Sequence, residues 1–139
     1  MYIGGGLANK MFQYAFSLAI KKKGYDVVYD TITFKTEFVH DRVELDDIFP
    51  NVNMNKISKS DYWAAGKQNK LARLVKRISP KYITEHAYLF NDRVWKQIKP
   101  TCYLESSWQD ENYFVSAADE VRQAFVFPPF ENNLISATL

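Results

Sequence analysis

Met1-Tyr2-Ile3 runs directly into Gly4-Gly5-Gly6, and Asn9 follows at the head of an amphipathic stretch. A short strand that turns through glycines into a helix brings unpaired backbone N–H groups and the positive end of the helix dipole to one point, where phosphate or another anion binds. The dinucleotide fingerprint itself is not met, because Gly4-Gly5-Gly6-Leu7-Ala8-Asn9 puts Asn9 where a third glycine or an alanine is required. Asp30, near the end of the next β-rich run, stands where a ribose-binding acid is expected. The glycines alone read equally well as a tight turn that uses their backbone freedom and binds nothing.

Further candidates lie downstream. Trp108 and Gln109 could face a sugar, the indole stacking on a pyranose and the amide reading hydroxyls, against the competing reading of a core tryptophan at a strand end. Asp30, Glu44, Asp46 and Glu105 are candidate general bases for an attacking hydroxyl, and each also reads as a solvated acid or a helix cap. His40 and His86 are isolated, and neither metal-ligand spacing nor a Ser-His-Asp arrangement occurs, so no metal is assigned. Cys102 is the only cysteine; it reads as a small core residue, leaves no intrachain disulfide to form and points to a reducing compartment.

The elements that must position these residues follow from periodicity. Apolar Met11, Tyr14, Ala15, Leu18 and Ala19 recur at helical steps and predict a helix over 9–23, closed by Lys21-Lys22-Lys23 and Gly24. Residues 26–30 read as a parallel strand, and 42–49 as a short helix stopping before Pro50. Ser58 or Ser60 caps a longer helix over 61–78, striped by Leu71, Leu74, Val75 and Ile78, weakened by Gly66 and followed by Pro80. Residues 82–84 and 101–104 are strand candidates, and Ser116 caps a last helix over 116–125. The alternation predicts a single α/β domain with a mostly parallel sheet.

Composition narrows the function classes. A length of 139 residues allows one domain and not two, and 47% hydrophobic with 24% charged residues, five Gly and five Pro excludes disordered and collagen-like chains. No run approaches the roughly 20 apolar residues of a membrane helix, and the start lacks a signal-peptide pattern. Aromatic residues make up 16%, which suits either a compact core or a sugar-stacking surface. The net charge of +2 is uneven: Lys67, Lys70, Arg73, Lys76, Arg77 and Lys81 share a stretch without acids, and the other 12 basic residues face 16 acidic ones. That stretch reads first as the solvated face of a helix and second as a contact with an anionic membrane surface. A nucleic-acid patch comes third, without a binding motif and against an acidic remainder.

Three ordered blocks carry a resemblance. Gly5-Gly6-Leu7-Ala8-Asn9-Lys10-Met11-Phe12-Gln13-Tyr14-Ala15-Phe16 resembles the N-terminal signature of the bacterial α-1,2-fucosyltransferase family, Gly-Gly-Leu-Gly-Asn-Gln, an apolar residue, then Phe-Gln-Tyr-Ala. Residues 42–49 resemble the family's Arg and Glu-Leu segment before a Phe, and 102–114 its Tyr-Leu-x-Gly-Tyr-Trp-Gln-Ser-x-x-Tyr-Phe block, with Arg122 to Phe127 continuing as the family does. Ala8 stands for the commoner second glycine and Lys10 for Gln. The family's donor-binding His-x-Arg-Arg-x-Asp stretch has no counterpart: His40-Asp41-Arg42 continues as Val43-Glu44-Leu45 and lies in a block that aligns elsewhere.

The resemblance implies a Rossmann-like domain over 1–139, corresponding to the N-terminal, acceptor-side half of a two-domain GT-B glycosyltransferase, with the donor-binding domain absent from this chain. Full-length relatives transfer L-fucose from GDP-fucose to a glycan hydroxyl with inversion and without an obligatory metal. By the same resemblance, Gly5, Gly6, Leu7, Ala8 and Asn9 line the donor cleft, Asn9 bonding to fucose or phosphate. Trp108 and Gln109 would hold the acceptor. No catalytic residue, cofactor, metal or nucleic acid is assigned, and a cytoplasmic location is expected, peripheral to the inner membrane face through 67–81. One rival is a stand-alone nucleotide- or glycan-binding module without catalysis; a dinucleotide-dependent oxidoreductase fragment is another, disfavoured by Asn9.

Overall fold

In the computed structural model of the chain, which describes residues 1–33, 43–60, 82–86 and 88–129, helix α1 spans Leu7–Lys22. It starts two residues earlier than its apolar period predicts, because Gly6 takes the extended N-cap conformation at φ −63° and ψ 167°. At its other end, Lys21 and Lys22 sit where the helix dipole favours cations. Gly24 then turns left-handed at φ 89° and donates to the Lys21 carbonyl at 2.8 Å.

Five extended segments meet beside this helix. Tyr29 bridges Lys56 in parallel, with hydrogen bonds from Tyr29 N to Asn55 O (2.9 Å) and from Ile57 N to Tyr29 O (2.8 Å). Tyr2 bridges Asp30 in parallel, through Asp30 N to Met1 O (2.8 Å) and Ile3 N to Asp30 O (3.0 Å). On its other side Tyr2 N donates to Leu104 O at 2.9 Å. Strand β1 (Tyr82–Ile83) pairs in parallel with β2 (Tyr103–Leu104), Tyr82 opposite Tyr103. Across the hydrogen bonds the order is therefore 55–57, 28–30, 1–3, 103–104, 82–83. Helix and parallel pairing are mixed, in keeping with the α/β class, while among the described residues only β1 and β2 reach the regularity of a strand pair.

Three expectations are corrected in detail. The helix expected over 42–49 is the single turn α2, Leu45–Ile48, because Glu44 and Asp47 close a capping box that fixes its start at Glu44. Ser116 does not cap the last helix. Two 3-10 turns, Glu111–Tyr113 and Val115–Ala117, carry the chain into it and leave Ala117 at the N-cap. A further helix, α3 (Asp92–Gln97), precedes it and was not anticipated; the last is α4, Ala118–Ala124. The strand expected over 26–30 bridges its neighbours only at Tyr29 and Asp30. The helix expected over 61–78, the basic stretch 67–81 and His40 lie outside the described residues. Among the described residues no helix is long and apolar enough to cross a membrane.

The core forms around the buried face of α1. Phe16 is fully buried and packs against Trp95, Trp108 and Tyr113 with ring centroids 4.9 to 5.0 Å apart. Tyr14 stacks on Tyr29 at 5.8 Å, and Phe49 meets Phe125 edge-on at 5.1 Å. Aromatic contacts of this kind add roughly 0.5 to 1.5 kcal/mol each beyond the area they bury. They fix the helix against the extended segments and so fix the turn that precedes it.

Candidate functional site

Segment 1–3 is flanked by 28–30 on one side and by β2 on the other. Chain order runs outward from segment 1–3 on the first side and returns to it at β2 on the second, so the carboxyl ends of 1–3 and β2 lie side by side where the direction of the connections reverses. Open parallel sheets bind ligands in the crevice outside the strand ends at such a switch point. The Gly4–Asn9 turn leaves one segment there, and Glu105–Asp110 leaves the other.

Three contacts tie these walls together. Gln13, buried on α1 at 1% exposure, accepts from the Gly4 N–H at 2.8 Å and donates to the Ser106 carbonyl at 3.1 Å. The Gln109 amide donates to Asn9 Oδ1. The Ser106 hydroxyl donates to the Glu85 carbonyl, which brings the loop after β1 to the same edge. With its oxygen held by Gln109, Asn9 keeps Nδ2 as a donor over the turn, and that nitrogen sits where a Cβ on Gly5 would come within 2.8 Å. Gly5 has φ 86°, so both its backbone and its space demand glycine.

No side chain caps α1 and its first turn carries no acid. Gly6, Leu7 and Ala8 are exposed. The first N–H groups of a 16-residue helix therefore face solvent in a field that favours an anion. The residues expected to line the donor cleft, Gly5, Gly6, Leu7, Ala8 and Asn9, lie at the carboxyl end of segment 1–3, and Gln109 reaches them through Asn9.

Trp108 does not offer a stacking face. Its indole is 2% exposed, wedged between Phe16 and Tyr113 at 4.9 and 5.4 Å, so the sugar-facing reading of Trp108 is corrected to a core one. Its backbone is left-handed at φ 53°, which costs on the order of 1 to 2 kcal/mol for a residue with a side chain. Aromatic packing offsets that strain, and the reversal it produces carries Gln109 toward Asn9. The indole Nε1 is buried without a partner among the described residues, a further cost held in place by the same packing.

The candidate acids separate. Asp30, 2% exposed, accepts from Ile32 N and Thr33 N at 3.1 Å each and from the Thr33 and Tyr103 hydroxyls at 2.7 Å each. It closes a turn and anchors Tyr103, which corrects its reading as a ribose-binding acid. Burial and then the Asp30 charge push the Tyr103 hydroxyl far above its usual pKa. Glu44 caps α2 and pairs with Lys56, and Asp46 meets the same ammonium at 2.6 Å. Burial works against the charge on Lys56, but the two carboxylates outweigh it and raise its pKa. Glu105 is half-buried; its backbone N–H donates to the Ile83 carbonyl at 3.0 Å, and its carboxylate makes no hydrogen bond or ion pair among the described residues. Of the four acids it alone keeps a carboxylate without a partner among the described residues.

Sequence reasoning missed Gln13 as a site residue. Its signal was present: Lys10, Gln13 and Ser17 recur at helical steps on an otherwise apolar face, and all three are buried at 4% or less. Buried polar residues at that spacing need partners, and Lys10 reaches the Val43 carbonyl at 2.7 Å. Among the described residues no three His, Cys, Asp or Glu side chains converge as a metal site. Comparison with models of known protein families, with curated proteins and with solved structures gave no match to this chain.

Proposed function

We propose that the chain is the N-terminal, acceptor-side portion of an α-1,2-fucosyltransferase, a Rossmann-like domain of the GT-B kind acting on GDP-fucose and a glycan acceptor. One observation carries the reading: two of the three blocks that resemble that family, 5–16 and 102–114, supply the two walls of the switch-point crevice and meet through Asn9 and Gln109. In fucosyl transfer the acceptor hydroxyl attacks the anomeric carbon, the bond to the diphosphate breaks, and charge grows on the leaving oxygens. Donors already aimed at that charge lower the barrier. The uncapped N–H groups of α1 and Asn9 Nδ2 are suited to that work. Glu105 is the acid with a carboxylate open to take the hydroxyl proton.

The chain alone is expected to be inactive, since the Arg-rich donor motif is absent from it. The test joins the chain to the donor domain of a bacterial α-1,2-fucosyltransferase and follows GDP release with a glycan acceptor present. Turnover that falls on Asn9→Ala is the expected result. A chimera that binds GDP-fucose and still shows no turnover would refute the proposal. The rival is a binding module without catalysis, favoured by the fact that both crevice walls belong to this one chain. Saturable glycan or GDP binding by the chain, together with a chimera that does not turn over, would select it.

A further inference from the structure

Three residues on one face of α1 meet the segment opposite. Asn9, Gln13 and Phe16, at steps of four and three residues, lie against Gln109, Ser106 and Trp108. The outermost pair, Asn9 and Gln109, is half-buried, whereas Gln13 is 1% exposed.

Gln13 also differs in what it joins. Its Oε1 accepts from the Gly4 N–H at 2.8 Å and its Nε2 donates to the Ser106 carbonyl at 3.1 Å, so one carboxamide spans the two segments. Both partners are backbone groups, one a donor and the other an acceptor, which fixes the orientation of the amide. Met, of similar length, offers neither bond, and an ionised Glu can only accept. Burial keeps water from competing for either contact, so breaking one orphans a buried backbone group.

The two bonds act on the parts of the chain that aim Asn9 and Gln109. Gly4 precedes the left-handed Gly5, from which the turn runs into Asn9. Ser106 lies two residues before the left-handed Trp108, whose packed indole fixes the direction in which the chain leaves for Gln109. The half-buried bond between Asn9 and Gln109 is open to competition from water; it follows from that placement and does not enforce it.

We infer that Gln13 is a positioning residue: it holds the Gly4–Asn9 turn and segment 105–110 at the separation at which Asn9 and Gln109 meet, so ligand affinity at Asn9 depends on a buried side chain that touches no ligand. The inference deepens the proposed function and rests on it only for that ligand being GDP-fucose.

The test compares amide spectra of the isotope-labelled full chain with those of Gln13→Glu and Gln109→Ala. In Gln13→Glu a protonated carboxyl can still donate to the Ser106 carbonyl, whereas the ionised form sets a second acceptor against it, and burial raises the pKa of such a group. The Asn9 and Gln109 side-chain signals of this variant should therefore match wild type near about pH 5 and depart from it by about pH 8.5, with circular dichroism unchanged. Lys10 on α1 and Asp30, Glu85, Glu105 and Asp110 on the surrounding segments are present in both proteins, so the difference between the two isolates residue 13. Gln109→Ala should leave the Gly4 amide and the Gln13 side-chain signal in place, because the outer bond depends on the inner ones. Asn9 and Gln109 signals that ignore the introduced carboxyl overturn the inference, and so does a Gln109→Ala variant that displaces Gly4 and Gln13. If Gln13→Glu unfolds at either pH, the Gln109→Ala arm decides alone.

In a chimera with the donor domain, Gln13→Glu should raise KM for GDP-fucose about tenfold over wild type at the higher pH and under about twofold at the lower. A KM indifferent to the substitution at both overturns the inference as well. Signals that follow residue 13 in a chimera without turnover keep it and sink the fucosyltransferase reading. Turnover with signals that ignore residue 13 does the reverse.

Discussion

Two polar clusters stand at the carboxyl edge of the extended segments, one around Asp30 and one around Asn9, and they are built in opposite ways. Asp30 is buried and accepts from four donors supplied by Ile32, Thr33 and Tyr103. Asn9 is half-buried, bonded through one oxygen to Gln109, and adjoins exposed, uncapped N–H groups. A buried carboxylate that is fully satisfied has been spent on folding, because each of its donors would otherwise be orphaned. A half-satisfied amide beside open donors retains capacity for a ligand. Both clusters are adjacent to the turn-forming ends of parallel segments, so saturation and burial, rather than position, separate structural from functional polarity here.

The largest expected effect lies in the Asp30 cluster. Asp30→Ala leaves the Tyr103 hydroxyl and the Thr33 donors without their acceptor and should cost about 3 kcal/mol or more in urea unfolding, whereas Gln109→Ala should cost under about 1 kcal/mol. Equal costs would erase the distinction between the clusters.

Alkaline pH probes the same contrast without mutation. Burial pushes Tyr29 up to about 12, although its bond to Ser17 works the other way, and raises Tyr103 as well. Both therefore stay protonated in the folded chain at a pH where the unfolded chain has lost those protons, from its ordinary value of 10.0 upward. Their contribution is whole below the unfolded value and is lost as pH rises toward the folded ones. For Tyr29 the loss is on the order of 2 to 3 kcal/mol, and urea midpoints measured from neutral pH upward should fall less steeply in Tyr29→Phe.

Gly5→Ala comes next. A side chain at φ 86° that also meets Asn9 should destabilise by about 1 to 2 kcal/mol and displace the Asn9 amide from Gln109, whereas Gly6, with open space around it, should accept Ala at a few tenths. Amide spectra of Asn9 and Gln109 report the displacement. The smallest effect is a gain: Gly6→Asp supplies the missing cap and a charge at the helix start, stabilising by a few tenths to about 1 kcal/mol. The same carboxylate should abolish any binding of GDP or GDP-fucose at the turn. Unchanged nucleotide affinity in that variant would separate the crevice from the anion.

Legibility in the sequence followed locality. Helix α1 was readable because its apolar period, basic last turn and Gly24 all lie within one stretch, and the glycine turn was readable for the same reason. Helix α3 was overlooked although Asn91 accepts from Arg93 N as a cap and Lys96 reaches back to Asp92 at 2.6 Å; with Val94 buried inside it and Ile98 buried at its C-cap, its apolar signal is short. Trp108 was ambiguous because a tryptophan reads alike in a core and on a sugar, and only the arrival of Phe16 and Tyr113 from other elements buries it. The four acids were equivalent by residue type. Their separation needed Tyr103, more than seventy residues from Asp30, and Lys56 between Glu44 and Asp46 in space.

By itself the sequence determined the turn, the helix and the families of residue that could bind an anion or a sugar, since backbone freedom, capping and periodicity act over a few neighbouring positions. Tertiary structure alone decided which polar groups are spent and which remain open. It brought Gln109 across one hundred residues to Asn9 and buried Trp108, because hydrogen-bond saturation and solvent exclusion depend on what packs alongside and not on what precedes or follows.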